Sequence, residues 1–105
     1  MTCYMFQLTV RPGQHSRLRE LNEQYEPVLA RVAAGIHGLN SIEKWLLGAV
    51  YIERVDFDGE FADFAKQLTA DKEVRQFLRS VGECFAESLK EMPAREMSCL
   101  QALPT

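Results

Sequence analysis

Tyr51 and Glu53 lie two residues apart in an apolar, extended stretch, so a phenol and a carboxylate share one face of a strand. A glutamate so placed can serve as a general base once burial raises its pKa from about 4.3 towards neutrality. The plainer alternative is an exposed strand residue paired with Arg54 or Lys44. His37, between Ile36 and Gly38, has an imidazole that titrates near neutral pH and is a second candidate acid or base, set against an ordinary solvated loop histidine. His15 falls in the first turn of a helix beside Arg17 and Arg19 and reads as a surface residue. Cys3, Cys84 and Cys99 are far apart with no Cys-x-x-Cys pair, which argues against both a disulfide framework and a zinc site. Two histidines in different elements, with no acidic cluster on their face, leave no three-ligand metal set. No glycine-rich loop joins a strand to a helix, and nothing resembles a haem or flavin motif. Chemistry without a metal or cofactor is the expectation.

Six elements must position these residues. Cys3 to Val10 alternates Tyr4, Phe6, Leu8 and Val10 against Cys3, Met5, Gln7 and Thr9, the period of a half-buried strand ended by Arg11-Pro12-Gly13. From Gln14 onwards Leu18, Leu21, Tyr25, Val28, Leu29 and Val32 recur at helical spacing, with a kink or break expected just before Pro27 and an end at Gly35 to Gly38. Asn40–Leu47 and Ala49–Asp56 read as a hairpin about Gly48. Phe61, Phe64, Ala65 and Leu68 predict a short helix. Asp71 then caps a second one, whose stripe Val74, Phe77, Leu78, Val81, Phe85, Leu89 runs towards Pro93. Arg95–Leu103 suits a last strand.

Strand, helix, two strands, helix pair, strand is the split βαββαβ order of a ferredoxin-like α+β sandwich, formed here by residues 1–105 as one domain. Its helices cover one face of the sheet. A three-residue loop about Gly48 puts Met5, Trp45, Tyr51, Glu53 and Met97 on the other face, whereas a two-residue loop puts Val50 and Ile52 there with Trp45. The first register is the expected one. A face so apolar calls for cover, hence the expectation of a homodimer of the dimeric α+β barrel type, with a cavity on the uncovered face.

Composition narrows the partners. The chain carries 12 Lys and Arg against 15 Asp and Glu, a net charge of −3 with the signs interspersed, which disfavours nucleic acid. With 47% hydrophobic residues the chain can fold, yet no apolar run approaches the roughly 20 residues that span a bilayer. Met1-Thr2-Cys3-Tyr4 opens no secretory signal, so no membrane association and a cytoplasmic location are expected.

Val50-Tyr51-Ile52-Glu53-Arg54-Val55, then Asp58-Gly59, then Leu68-Thr69-Ala70-Asp71-Lys72-Glu73-Val74, resembles the SchA/CurD-like proteins of spore-pigment and aromatic polyketide gene clusters. Those are similar in turn to the small tetracenomycin-type polyketide cyclases, which are dimeric α+β barrels. The resemblance implies a cofactor-independent cyclase or aromatase acting on a polyketide intermediate. A cofactor-free monooxygenase acting on an anthrone, and a non-catalytic polyketide-binding chaperone or subunit, are the alternatives. The cyclases carry a histidine inside the third strand, just after a tyrosine; Glu53 holds the matching place. Ring closure needs a base, an oxyanion donor and a pocket that excludes water. Glu53 and His37 are then the expected acid-base residues, and Tyr51, Trp45, Gln7, Met5 and Gln101 the expected substrate contacts, with Glu43 a further polar group on that face.

Overall fold

A computed structural model describes residues 2–89 and the strand at 95–97. The alternating N-terminal segment forms β1 (Thr2–Thr9), with Tyr4 and Leu8 buried and Gln7 and Thr9 exposed, as the period of two requires. Helix α1 (His15–Ala34) buries Leu18 and Leu21. It runs through Pro27 without the expected break, because Pro27 and Glu23, whose carbonyl loses its donor, both lie on the exposed side where water can replace the bond.

Strands β2 (Leu39–Leu47) and β3 (Val50–Phe57) pair with Leu47 opposite Val50, so the hairpin loop is Gly48-Ala49 alone. Gly48 has φ +57 at the first central position, as in a type II′ turn, whose twist matches that of the flanking strands. The three-residue loop is thereby corrected, and with it the face of every side chain in β3. Tyr51 lies opposite Leu46, Glu53 opposite Lys44 and Val55 opposite Ile42, all turned towards the helices, while Trp45 pairs with Ile52 on the other side. The two-residue turn wins because it sends Ile42, Leu46, Tyr51, Val55 and Phe57 inward together.

Helix α2 (Phe61–Leu68) follows, then α3 (Lys72–Gly82), capped as expected by the Asp71 carboxylate accepting from the Val74 amide at 3.0 Å. The helix ends at Gly82 instead of running on towards Pro93. Beyond it the backbone is claimed by the end of β1: Arg11 N–H donates to the Cys84 carbonyl and Ala86 N–H to the Thr9 carbonyl, each at 2.8 Å. Phe85 still reaches the core, as a bridge partner of Val10. Strand β4 (Arg95–Met97) adds antiparallel to β1, with Met97 opposite Cys3; the rest of the expected last strand lies outside the described residues.

The sheet order β2-β3-β1-β4, antiparallel throughout, is the ferredoxin-like plan. The helices pack on one face over two apolar clusters, one built on Leu8, Leu21, Tyr51, Phe77 and Phe85 and the other on Tyr4, Val55, Phe57 and Phe64. The opposite face carries Met5, Gln7, Trp45 and Ile52, with Trp45 49% exposed and neighbouring Leu47 79% exposed. Among the described residues no helix is long and apolar enough to cross a membrane.

Candidate active site

Because β3 alternates, Tyr51 and Glu53 leave it on the helix side, and the Tyr51 hydroxyl donates to Glu53 Oε1 at 2.6 Å. The register of the hairpin sets Lys44 directly across from Glu53. Lys44 is exposed as a residue, but its ammonium turns inward, donating to Asn22 Oδ1 at 3.1 Å and lying 5.0 Å from the Phe77 ring centroid. Asn22 in turn donates its amide N–H to the Leu18 carbonyl one helical turn earlier, at 2.9 Å, which aims its oxygen at the lysine. A polar line therefore crosses from β3 over β2 to α1.

Around that line the surface is aromatic and aliphatic. Phe6, Leu8, Phe61, Phe64, Phe77 and Phe85 are among the residues that, with Tyr51 and Glu53, enclose a cavity of about 190 Å³ between sheet and helices. Phe61 stacks obliquely on Tyr4 and Phe64, with ring centroids 5.4 and 5.5 Å apart, which keeps the wall rigid. A wider groove of about 790 Å³ between α1 and β2 lies beside the cavity and shares Asn22, Glu53 and Phe77 with its lining.

These surroundings tune the groups. Burial raises the pKa of Glu53, outweighing the opposing effects of the Lys44 charge and the Tyr51 hydrogen bond. Burial first, then the negative charge of Glu53 and the hydrogen bond to it, push the Tyr51 phenol up, so it stays a proton donor throughout the neutral range. Lys44 is lowered by desolvation, which Glu53 partly offsets. The result is a carboxylate more basic than an ordinary glutamate, hydrogen-bonded by one neutral donor and facing a cation across the strand pair.

The expected site residues divide between places. Tyr51 and Glu53 share the cavity, but on the helix-covered face and not on the open one. Trp45, Met5 and Gln7 remain on the open face beyond the sheet, away from Glu53, as does Glu43, which pairs with Arg54 at 3.9 Å. His37 is exposed in the α1–β2 connection and its peptide is held by Gln67, whose Oε1 accepts from the His37 N–H at 3.0 Å. It does not line the cavity. Gln101 lies outside the described residues. His15 is half-buried, with Nε2 2.8 Å from the Gly48 carbonyl, so it secures the hairpin turn instead of standing free on the surface. Among the described residues no group of three or more His, Cys, Asp or Glu is placed to hold a metal.

Sequence reasoning named Lys44 only as a surface neighbour of Glu53, and missed it and Asn22 as site residues. The available signal was parity: Lys44 sits between Ile42 and Leu46 on one strand face, a cation in an apolar row.

The sequence matches no protein-family model and no curated protein. Its fold does match solved structures. A protein from Bordetella bronchiseptica designated an antibiotic biosynthesis monooxygenase superposes with a TM-score of 0.68 at 16% identity, over 95% of this chain and 97% of that one. An L-rhamnose mutarotase from Formosa agariphila gives 0.66 at 10% identity, over 97% and 98%. The tetracenomycin F2 cyclase of Streptomyces glaucescens, a type-II polyketide cyclase, gives 0.60 at 10% identity, over 98% and 97%. At such identities the likeness is one of architecture, and the chain has the ferredoxin-like α+β fold that these three proteins share.

Proposed function

We propose that the protein is a cofactor-independent enzyme of aromatic polyketide biosynthesis, a cyclase or aromatase that closes a ring in a polyketide intermediate. The observation that carries this reading is Glu53: a carboxyl group made more basic by burial, hydrogen-bonded by Tyr51 and facing Lys44, in the wall of an aromatic cavity. The architecture of a type-II polyketide cyclase supports it. A flat, partly unsaturated substrate fits walls made of Phe6, Phe61, Phe64 and Phe77.

In this reading Glu53 takes a proton from a methylene flanked by two carbonyls. The carbanion attacks a third carbonyl held against it, and negative charge develops on that oxygen, where the Tyr51 hydroxyl meets it and the Lys44 ammonium, across the strand pair from Glu53, offsets the charge. Protonated Glu53 returns its proton to the alkoxide. Loss of the resulting hydroxyl with the remaining methylene hydrogen, as water, gives a cyclic enone, and enolisation of its ring carbonyls, which moves protons without changing the mass, makes the ring aromatic.

A second reading is favoured by the fold of the Bordetella protein: a monooxygenase in which the carbanion formed by Glu53 reacts with dioxygen. An oxygen electrode and the product mass separate the two. The cyclase consumes no oxygen and its product is lighter than the substrate by one water per ring; oxygen uptake with a gain in product oxygen refutes it. Tight binding of polyketides that leaves the products of a reconstituted pathway unchanged refutes both and indicates a carrier.

A further inference from the structure

The wide groove beside the cavity is a feature the catalytic cluster does not explain. Protein interiors close the space between a helix and a sheet with interdigitating side chains. Here α1 passes over the edge strand β2 with Ala30 and Ala33 where larger residues would fill the gap, and Leu39 and Ile42 form the floor. The space left is about 790 Å³, within the size range of small-molecule sites. It is adjacent to the aromatic cavity, with Asn22, Glu53 and Phe77 among the residues that line both. Lys44, across the strand pair from Glu53, lines the groove. On the outer rim the exposed carboxylates of Glu23 and Glu26 line the groove along α1.

We propose, resting on the reading above, that the substrate has two parts: a compact ring system in the aromatic cavity and an uncharged, unbranched apolar chain that leaves it at Lys44 and lies in the α1–β2 groove. Leu29, Ala30, Ala33, Leu39 and Ile42 contact the chain. The two rim carboxylates disfavour a chain ending in an anion. Chain and ring together fix the reacting carbon against Glu53, since binding energy gathered away from the reaction centre serves to position it.

The test uses 2-naphthol and its 6-ethyl, 6-butyl and 6-hexyl homologues, titrated by naphthol fluorescence. With the unmodified protein the dissociation constant falls about two- to fourfold for each methylene added. The ratio between the 2-naphthol and 6-hexyl constants, taken within each protein, collapses towards one in Ala33→Leu, which fills the groove. A homologue ending in a carboxylate binds more weakly than the methyl-ended one of equal length, and Glu26→Gln narrows that difference. Binding of 2-naphthol with no gain from the chain overturns the groove and leaves the aromatic site standing. A chain-length gain without binding of 2-naphthol itself does the reverse, removing the aromatic reading and keeping the groove. A ratio that Ala33→Leu does not change places the chain elsewhere, and overturns the proposal.

Discussion

Glu53→Gln keeps the shape of the side chain and its ability to accept from Tyr51, but it removes the proton that the carboxyl exchanges. If Glu53 is the base, turnover falls by roughly a hundredfold or more while ligand affinity changes little, because the group acts on the developing transition state and not on the bound substrate. A hundredfold corresponds to about 2.7 kcal/mol of barrier. The same substitution has a second, independent signature in stability. The folded carboxyl has a raised pKa, so it holds its proton more tightly than the unfolded chain does. Below about pH 4.3 it is protonated in both states and its contribution is complete. As the pH climbs the unfolded chain ionises first, and the folded state loses up to ~1.4 kcal/mol per unit until the pH has passed the folded value, where the contribution is gone. Glu53→Gln has no such loss. Urea unfolding of both proteins at intervals from pH 4 to pH 8 should therefore show the glutamine variant gaining on the wild type as the pH rises. The activity of the wild type should climb over part of the same range, with an apparent pKa above that of a free glutamate. A variant that keeps wild-type turnover, or a stability difference flat with pH, refutes the assignment of Glu53 as a buried base.

Lys44→Met removes the cation that holds the Glu53 pKa down, so the pH–rate profile should shift to higher pH and turnover should fall at least tenfold through loss of oxyanion stabilisation; an unshifted profile refutes the coupling. We propose that a second copy of the chain covers the open sheet face, where Trp45 and Leu47 stand exposed and the buried Arg54 Nε has no partner among the described residues. Light scattering should report a dimer that Trp45→Glu dissociates, and a 12.0 kDa particle at micromolar concentration refutes it. Asp71→Ala removes the α3 cap and should cost about 1 kcal/mol of stability. Since the Val74 amide and Arg31 hold the Asp71 carboxyl below its usual range, that loss should be seen at neutral pH and shrink as the pH falls through the folded pKa; an undiminished difference in acid refutes the cap as its cause.

The fold was legible where one periodicity had no rival. Tyr4, Leu8 and Val10 alternate with polar Gln7 and Thr9, and Asp71 precedes its helix as a cap should, so β1 and the start of α3 follow from local rules. The end of α3 was not legible, because Phe85 and Leu89 prolong the helical stripe while the bonds that stop the helix come from Thr9 and Arg11, more than seventy residues away. Nor was the hairpin's register. Val50 and Ile52 on one parity are as apolar as Tyr51 and Val55 on the other, so alternation could not choose a face, and the choice fell to one residue of loop length at Gly48.

That ambiguity and the site have a common cause. The covered face holds Glu53, Lys44 and Tyr51, while the open face shows Trp45 and, beside it, Leu47, which inverts the usual partition of polar and apolar residues. A carboxyl and an ammonium facing each other on the covered side are poor value as stabilisers, since desolvation offsets most of their attraction and an apolar pair between Ile42–Val55 and Leu46–Tyr51 would pack as well. Under the proposed function, their presence follows from the chemistry an inward carboxyl and ammonium can do. Exposed Trp45 is what the proposed dimer would cover. A rule that sends polar residues outward therefore assigns Glu53 to the wrong face, and that departure is the reason Glu53 is worth testing: local rules are expected to fail first at functional or strained sites.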